Sequence, residues 1–245
     1  MESPLQLIAQ EYVLMDASRL DPLKDGKSGL ELIRVSGSDL DIVNAARVSY
    51  GRVSTEFSDR DQKLLQFLMD HDHTSPFEHN QLSFRVKAPI FVQRQWMRHR
   101  MNSYNEISYR YVKSALEFYV PAPFRMQDLK NKQSSFGIVA DGDAVRQRYE
   151  EALQAAVAGY EAMLEAGVCR EQARGLLPLS TYTEFIFTTN LHSLMHFIRL
   201  RTHPGAQQEI QEYAWGLLKL ALPHFGASLT AFCKKYQIDI SRVEG

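Results

Sequence analysis

Cysteine is scarce in this chain of 245 residues: Cys169 and Cys233 are its only thiols, and they lie in unrelated segments. Two isolated thiols exclude a disulfide framework and a Cys-x-x-Cys metal or redox motif, and they suit a reducing compartment. A cytoplasmic location is therefore expected. Long apolar runs are also missing. None approaches the roughly 18 residues that a membrane span needs, and Met1 to Leu20 shows no basic start followed by an apolar stretch. Neither secretion nor a membrane partner is expected. Nor is there an excess of one charge, with 28 Lys+Arg against 29 Asp+Glu and a formal net charge of -1. Such a balance speaks against a binder of nucleic acid or other polyanions over its whole surface.

Glycine patterning excludes more. No two of the 13 glycines are spaced Gly-x-Gly, so the dinucleotide fingerprint of a Rossmann fold is absent. Gly26-Lys27-Ser28 has the ending of a phosphate loop, but Asp21 stands where the required glycine would be, and the segment from Asp21 to Gly26 reads as a turn. Residues 1–29 are expected to form a peripheral arm without chemistry.

What is present describes a globular chain, 44% hydrophobic and 23% charged. At this length folding buries roughly 70% of the exposed surface without staples. Leu30 to Val35 reads as a strand, Asp39 to Ser49 as an N-capped helix and Asp59 to Asp70 as a helix burying Leu64, Leu65 and Leu68. Gln81 to Lys87 alternates Leu82, Phe84 and Val86 against Ser83, Arg85 and Lys87, which marks a strand. After Ala88-Pro89, Ile90 to Met101 reads as a helix. Further on, Asp143 to Glu165 carries the stripe Val145, Tyr149, Leu153, Ala156, Tyr160 and Leu164, with Gly167 as its C-terminal cap. Leu191 to Arg201 turns Leu191, Leu194, Met195 and Ile198 inward, and Gln207 to Leu222 does so with Ile210, Ala214, Leu217 and Ala221. Without repeats or linkers, the expectation is one α+β domain over 1–245, with an antiparallel or mixed sheet and a mostly helical second half, not a Rossmann fold.

The charges are unevenly placed. Between His79 and Leu116 stand seven cations (Arg85, Lys87, Arg94, Arg98, Arg100, Arg110 and Lys113) and one acid, Glu106. A basic face in water would explain a charge run. Here the arginines alternate with Trp96, His99, Tyr104, Asn105, Ser108, Tyr109 and Tyr111, which stack on rings and donate directed hydrogen bonds. Guanidinium forks grip phosphate and lie on planar groups, so the mixture suits a nucleotide. In one helix Arg98 and Arg100 would point roughly 200° apart. Either the helix ends near Arg98, or the two address different ligands or subunits.

The run Gln95-Trp96-Met97-Arg98-His99-Arg100-Met101-Asn102-Ser103-Tyr104-Asn105-Glu106-Ile107-Ser108-Tyr109-Arg110, with seven residues between Arg-His-Arg and Ser108, resembles the signature of flavin-dependent thymidylate synthases. Thr74 to His79, Arg174 ahead of Leu176-Leu177-Pro178, and Asn190 to Arg201 leading to Ala206-Gln207-Gln208-Glu209-Ile210 resemble the same family, from about residue 30 to 235. The resemblance implies synthesis of thymidylate from deoxyuridylate, with methylenetetrahydrofolate (5,10-methylenetetrahydrofolate) as carbon donor and FAD, reduced by NADPH, as hydride donor. It implies a homotetramer with shared active sites. By the same resemblance Gln95, Arg98, Glu106, Ile107, Ser108, Tyr109, Arg110, Arg174 and Arg201 bind deoxyuridylate. Ser75, Arg98, His99, Arg100, Glu106, Asn190, His192 and His196 bind FAD. At position 192 the family more often has arginine, and at 75 threonine.

Neither cysteine lies in these segments, so a thiolate adding to the uracil ring is not available. A guanidinium against the N3/O2 edge would instead stabilise negative charge there and enrich C5. Arg201 matches the family residue with that role and is expected to be catalytic as a fixed charge. Ser108 would need an adjacent base to be a nucleophile. No metal is expected: His71, His73, Glu78 and His79 lack a second ordered ligand pair, and His192 and His196 lack an accompanying glutamate motif. The competing readings are a flavoprotein that only oxidises NADPH and a single-stranded nucleic-acid binder using the Arg/Tyr segment as a stacking platform.

Overall fold

The alternating run at Gln81 becomes an inner strand of a four-stranded antiparallel sheet in the computed structural model, which describes residues 19–111 and 116–243. In chain order the elements are β1 (Gly29–Ser36), α1 (Asp39–Arg47), α2 (Asp59–Asp70), β2 (Gln81–Pro89), α3 (Ile90–Trp96), β3 (Ser103–Glu106), β4 (Arg125–Gln127) and β5 (Ser135–Ile138). They continue with α4 (Gly142–Glu165), α5 (Arg170–Ala173), β6 (Tyr182–Thr189), α6 (Leu191–Arg201), α7 (Gln208–Ala221) and α8 (Gly226–Tyr236). The sheet order is β1-β2-β6-β3, and β4 pairs only with β5. This is an α+β architecture with an antiparallel sheet, as the patterning implied.

Alternation decides which side of the sheet is dry. Phe84 lies opposite Phe187 and Val86 opposite Phe185, so these side chains share a face. The Phe84 and Phe187 rings stack at 6.0 Å, and Trp96 of α3 meets Phe185 and Phe187 edge-on at 5.3 and 5.5 Å. Phe197 of α6 and Tyr213 of α7 close over the same indole. One contiguous apolar core results, with α2 packed on α8 and α7 on β1. The helix ends are locally encoded. Ser58 and Asp61 form a reciprocal capping box for α2, Ser38 caps α1, and the Asn190 side chain accepts Ser193 N–H to start α6.

Four expectations are corrected. The helix expected over Ile90–Met101 stops at Trp96, because the Tyr104 hydroxyl donates to the carbonyls of Trp96 and His99 and Asn102 donates to His99. The chain then turns back as β3, which places Arg98 and Arg100 outside any helix. The second half also contains β6, a central strand whose threonines and aromatics pair with β2 on one side and β3 on the other. On α4 only Leu153 of the expected stripe is buried, the rest being half-exposed.

The fourth correction concerns the described part of the arm. Residues 1–18 lie outside the described residues. Residues 19–28, however, are docked: Leu20 and Leu30 exchange two backbone hydrogen bonds, and Ser28 is buried. Asp25 accepts the Lys27 and Ser28 amides and the Tyr182 hydroxyl. Burial pushes the Asp25 carboxyl up, but the bonds from Tyr182, Ser28 and Lys27 outweigh it and hold it below the ordinary aspartate value. Among the described residues no helix is long and apolar enough to cross a membrane.

Candidate functional site

The segment from Gln95 to Arg110 rims the sheet, and its first part meets the end of α6. Arg201, in the last turn of α6, donates from Nε to Nε2 of His99 at 3.1 Å and from Nη2 to the Gln95 carbonyl at 3.1 Å. His99 is 6% exposed, between Phe197 at 4.5 Å and the His196 ring at 5.8 Å. Burial first, then the Arg201 and His196 charges, pull its pKa down to about 4. His99 is thus neutral near pH 7, and because Nε2 accepts from Arg201 its proton is on Nδ1. Its neighbours Arg98 and Arg100 are exposed, and their guanidiniums make no hydrogen bond or ion pair to the described residues.

The second part of the segment builds a cleft. β3 places Tyr104 and Glu106 on the core face, opposite Phe187 and Phe185. The Glu106 carboxylate is then held at 2.9 Å by Gln93 Nε2 from α3 and at 2.6 Å by Thr183 Oγ1 from β6. Beyond it, Ile107, Ser108 and Tyr109 line a cleft of about 460 Å³ together with Ile90, Glu171 and Arg174. The Tyr109 hydroxyl is spent on the Tyr182 carbonyl, so Tyr109 offers the cleft its ring and backbone. Arg110 pairs with Glu171 at 3.1 Å beside the cleft. Arg174 has no such partner among the described residues. Ser108 Oγ accepts the Arg110 amide, no histidine lines the cleft, and Ser108 is not hydrogen-bonded to either of the cleft carboxylates, Glu106 or Glu171, so no base is placed on it to activate it as a nucleophile. Cys169 is exposed and does not line the cleft, while burial pushes the Cys233 thiol up to about 12.

A third group lies along α6. His192 and His196 line a cavity of about 180 Å³ with Thr74, Phe77, Arg199 and Tyr236. Ser75 is exposed next to Thr74, and Asn190 is committed as the helix cap. The expected residues therefore fall into three neighbourhoods: Gln95, His99 and Arg201; Glu106 to Tyr109 with Arg174; and His192 and His196, in a cavity that Thr74, the neighbour of Ser75, also lines. The single chain does not close them into one pocket. Lys113 lies outside the described residues.

Sequence reasoning passed over Gln93 and Thr183, which fix Glu106, and a buried cluster around Glu209. The one visible signal was a glutamine or a glutamate placed among apolar neighbours, Ile90 to Val92 before Gln93 and Ile210 after Glu209. Such a pattern is ambiguous without knowing the pairing partner.

Comparisons with known proteins come to the same segments. The family described as "Thymidylate synthase complementing protein" matches residues 31–225. The "Flavin-dependent thymidylate synthase" of Thermus thermophilus is 46% identical over 206 residues, covering 84% of this chain and 76% of that protein. The protein of the same description from Thermosipho africanus is 41% identical over 212 residues, covering 85% and 92%. Among solved structures, the UMP/dUMP methylase PolB from Streptomyces cacaoi bound with 5-Br dUMP superposes with a TM-score of 0.77 at 36% identity, over 84% of this chain and 94% of that one.

Proposed function

Because this chain belongs to the thymidylate synthase complementing protein family and has the flavin-dependent thymidylate synthase function of its relatives, we propose that it methylates deoxyuridylate through the three residue groups above. The observation that carries the assignment of groups is the fixed Arg201, anchored on a neutral imidazole and a backbone carbonyl at the edge of the segment that bears Arg98 to Arg110.

Deoxyuridylate is assigned to the cleft and its rim: Arg98, Arg174 and Arg110 for the phosphate, Glu106, Ile107, Ser108 and Tyr109 along the nucleotide, Gln95 and Arg201 for the base. Arg201 carries its charge at any working pH. Set against the uracil N3/O2 edge it stabilises negative charge there and makes C5 nucleophilic, a role that neither the distant Cys169 nor the buried Cys233 could take by covalent addition.

FAD is assigned to Ser75, Arg98, His99, Arg100, Glu106, Asn190, His192 and His196. The fit rests on Arg98 and Arg100, two exposed guanidiniums without protein partners, which suit a pyrophosphate. When bound, the flavin supplies the hydride that completes the methyl group from methylenetetrahydrofolate, with NADPH as the source. The chain's own part is to bind, orient and keep charge in place. Assembly is assigned as a homotetramer, since ligand groups on three neighbourhoods and a 24-residue helix with a single buried residue are what a site completed by other copies would leave on one chain.

The purified protein should be yellow and should release tritium from C5-labelled deoxyuridylate when given NADPH and methylenetetrahydrofolate. A colourless protein that takes up no FAD would refute the flavin assignment. A yellow protein that oxidises NADPH without releasing tritium would leave only the oxidase reading.

A further inference from the structure

Gln95 is joined to the first turn of α7 by a directed series of side-chain hydrogen bonds. Glu209, in the first turn of α7, is 4% exposed. Its Oε1 accepts Arg125 Nη2 at 2.8 Å and the Tyr119 hydroxyl at 3.1 Å, and its Oε2 accepts the same guanidinium at 3.1 Å. A carboxylate paired with a guanidinium can only accept. Gln207 must therefore turn its amide nitrogen to Glu209 Oε2, at 2.9 Å, and so its Oε1 points away. That oxygen receives Gln95 Nε2 at 2.6 Å. Gln95 Oε1 has no partner among the described residues, while the Gln95 backbone carbonyl carries Arg201.

The two ends of a carboxamide have nearly the same shape, so sterics alone would not orient either glutamine. Polarity does. Reversing Gln207 would set its oxygen against the Glu209 oxygen and its NH2 against the Gln95 NH2, replacing two bonds by two like-polarity contacts.

We propose that Glu209 is a positioning residue which sets the polarity of Gln207 and Gln95, so that Gln95 presents its carbonyl oxygen as an acceptor for a hydrogen-bond donor on the bound nucleotide. This rests on the assignment of Gln95 to deoxyuridylate. A deoxyuridylate offers two such donors besides its phosphate, the 3′-hydroxyl and N3–H. Arg125 comes from the β4–β5 hairpin, so the hairpin's docking and the polarity at Gln95 are set by the same carboxylate.

The test compares three variants as flavin-loaded enzyme. Glu209→Gln supplies an NH2 and permits the reversed arrangement. Gln207→Met removes the link at an exposed position and leaves the Glu209–Arg125 pair intact. Tyr119→Phe removes a different donor to Glu209 and leaves the amides as they are. Glu209→Gln and Gln207→Met should each raise KM for deoxyuridylate by about tenfold, equivalent to ~1.4 kcal/mol, with kcat within about twofold and flavin content unchanged. Tyr119→Phe should leave KM within about twofold of the parent. An unchanged KM in Gln207→Met, or an equal rise in all three variants, overturns the proposal, the latter by reducing Glu209 to a structural clamp. Absence of turnover in the parent enzyme would instead strike the functional reading itself, which separates the two failures.

Discussion

Arg201 rests on His99: the guanidinium donates to an imidazole nitrogen that burial and neighbouring charge keep unprotonated. A cation is thus held by an uncharged acceptor, so its charge is not spent on a counterion and remains available to a ligand. The arrangement depends on pH, since a protonated His99 would lose its acceptor and repel Arg201.

His99 folded titrates near 4 against 6.5 for the free side chain. Between these values the unfolded chain takes up a proton that the folded one refuses. The contribution of this group is complete above pH 6.5 and is lost as pH falls towards 4, with a total of roughly 3 kcal/mol. Denaturation midpoints measured across this range should fall more steeply for the parent than for His99→Gln, which keeps an acceptor for Arg201. Parallel curves would show that His99 is not the group responsible.

Arg201→Lys retains a positive charge but puts a single ammonium nitrogen in place of the separate Nε and Nη2 donors that bond His99 and the Gln95 carbonyl, and so loses the planar fork that fixes the charge. Methylation should fall by about 10²-fold or more, in the range for loss of one charge-stabilising donor, with flavin absorbance retained. Tritium release at the parental rate would remove Arg201 from the mechanism.

Glu106 is oriented from two elements, so Thr183→Val should release one oxygen without changing side-chain volume much. The carboxylate is exposed, and water replaces the lost donor, so the stability change should stay under about 1 kcal/mol. KM for deoxyuridylate should nonetheless rise on the order of tenfold. A KM equal to that of the parent would mean that Glu106 orientation is immaterial.

Tyr182→Phe removes the hydroxyl that latches Asp25, while the Tyr182 carbonyl still receives Tyr109. Stability should drop by about 1–3 kcal/mol, and limited proteolysis should cut faster within residues 19–28, with the rate of methylation largely kept. Unchanged proteolysis would show that Asp25 does not hold the segment.

Local signals carried much of the fold. The bounds read for α2 and α6 from apolar periodicity agree with the structure to the residue, and α4 differs only at its first residue. A helix's hydrogen bonds and caps lie within a few residues of one another, so its sequence contains its own stop signals. β6 is rich in threonines and aromatics but has no caps to mark its ends, and its central place in the sheet is set by partners about a hundred residues earlier in the chain.

The end of α3 shows the same limit. Nothing near Trp96 breaks a helix; the hydroxyl of Tyr104 does so from β3, and only the pairing of β3 with β6 brings it there.

By itself the sequence determined the α+β class, the family signature, the basic segment inside a near-neutral chain and the lack of a cysteine where one might attack uracil. These depend on residue type and spacing. The tertiary structure alone decided that Arg98 and Arg100 leave the helix, that His99 is a neutral support for Arg201, and that Gln93 and Thr183 orient Glu106. Each of these requires charges or hydrogen-bonding groups from distant segments to meet within about 3 Å, a distance that chain order does not encode.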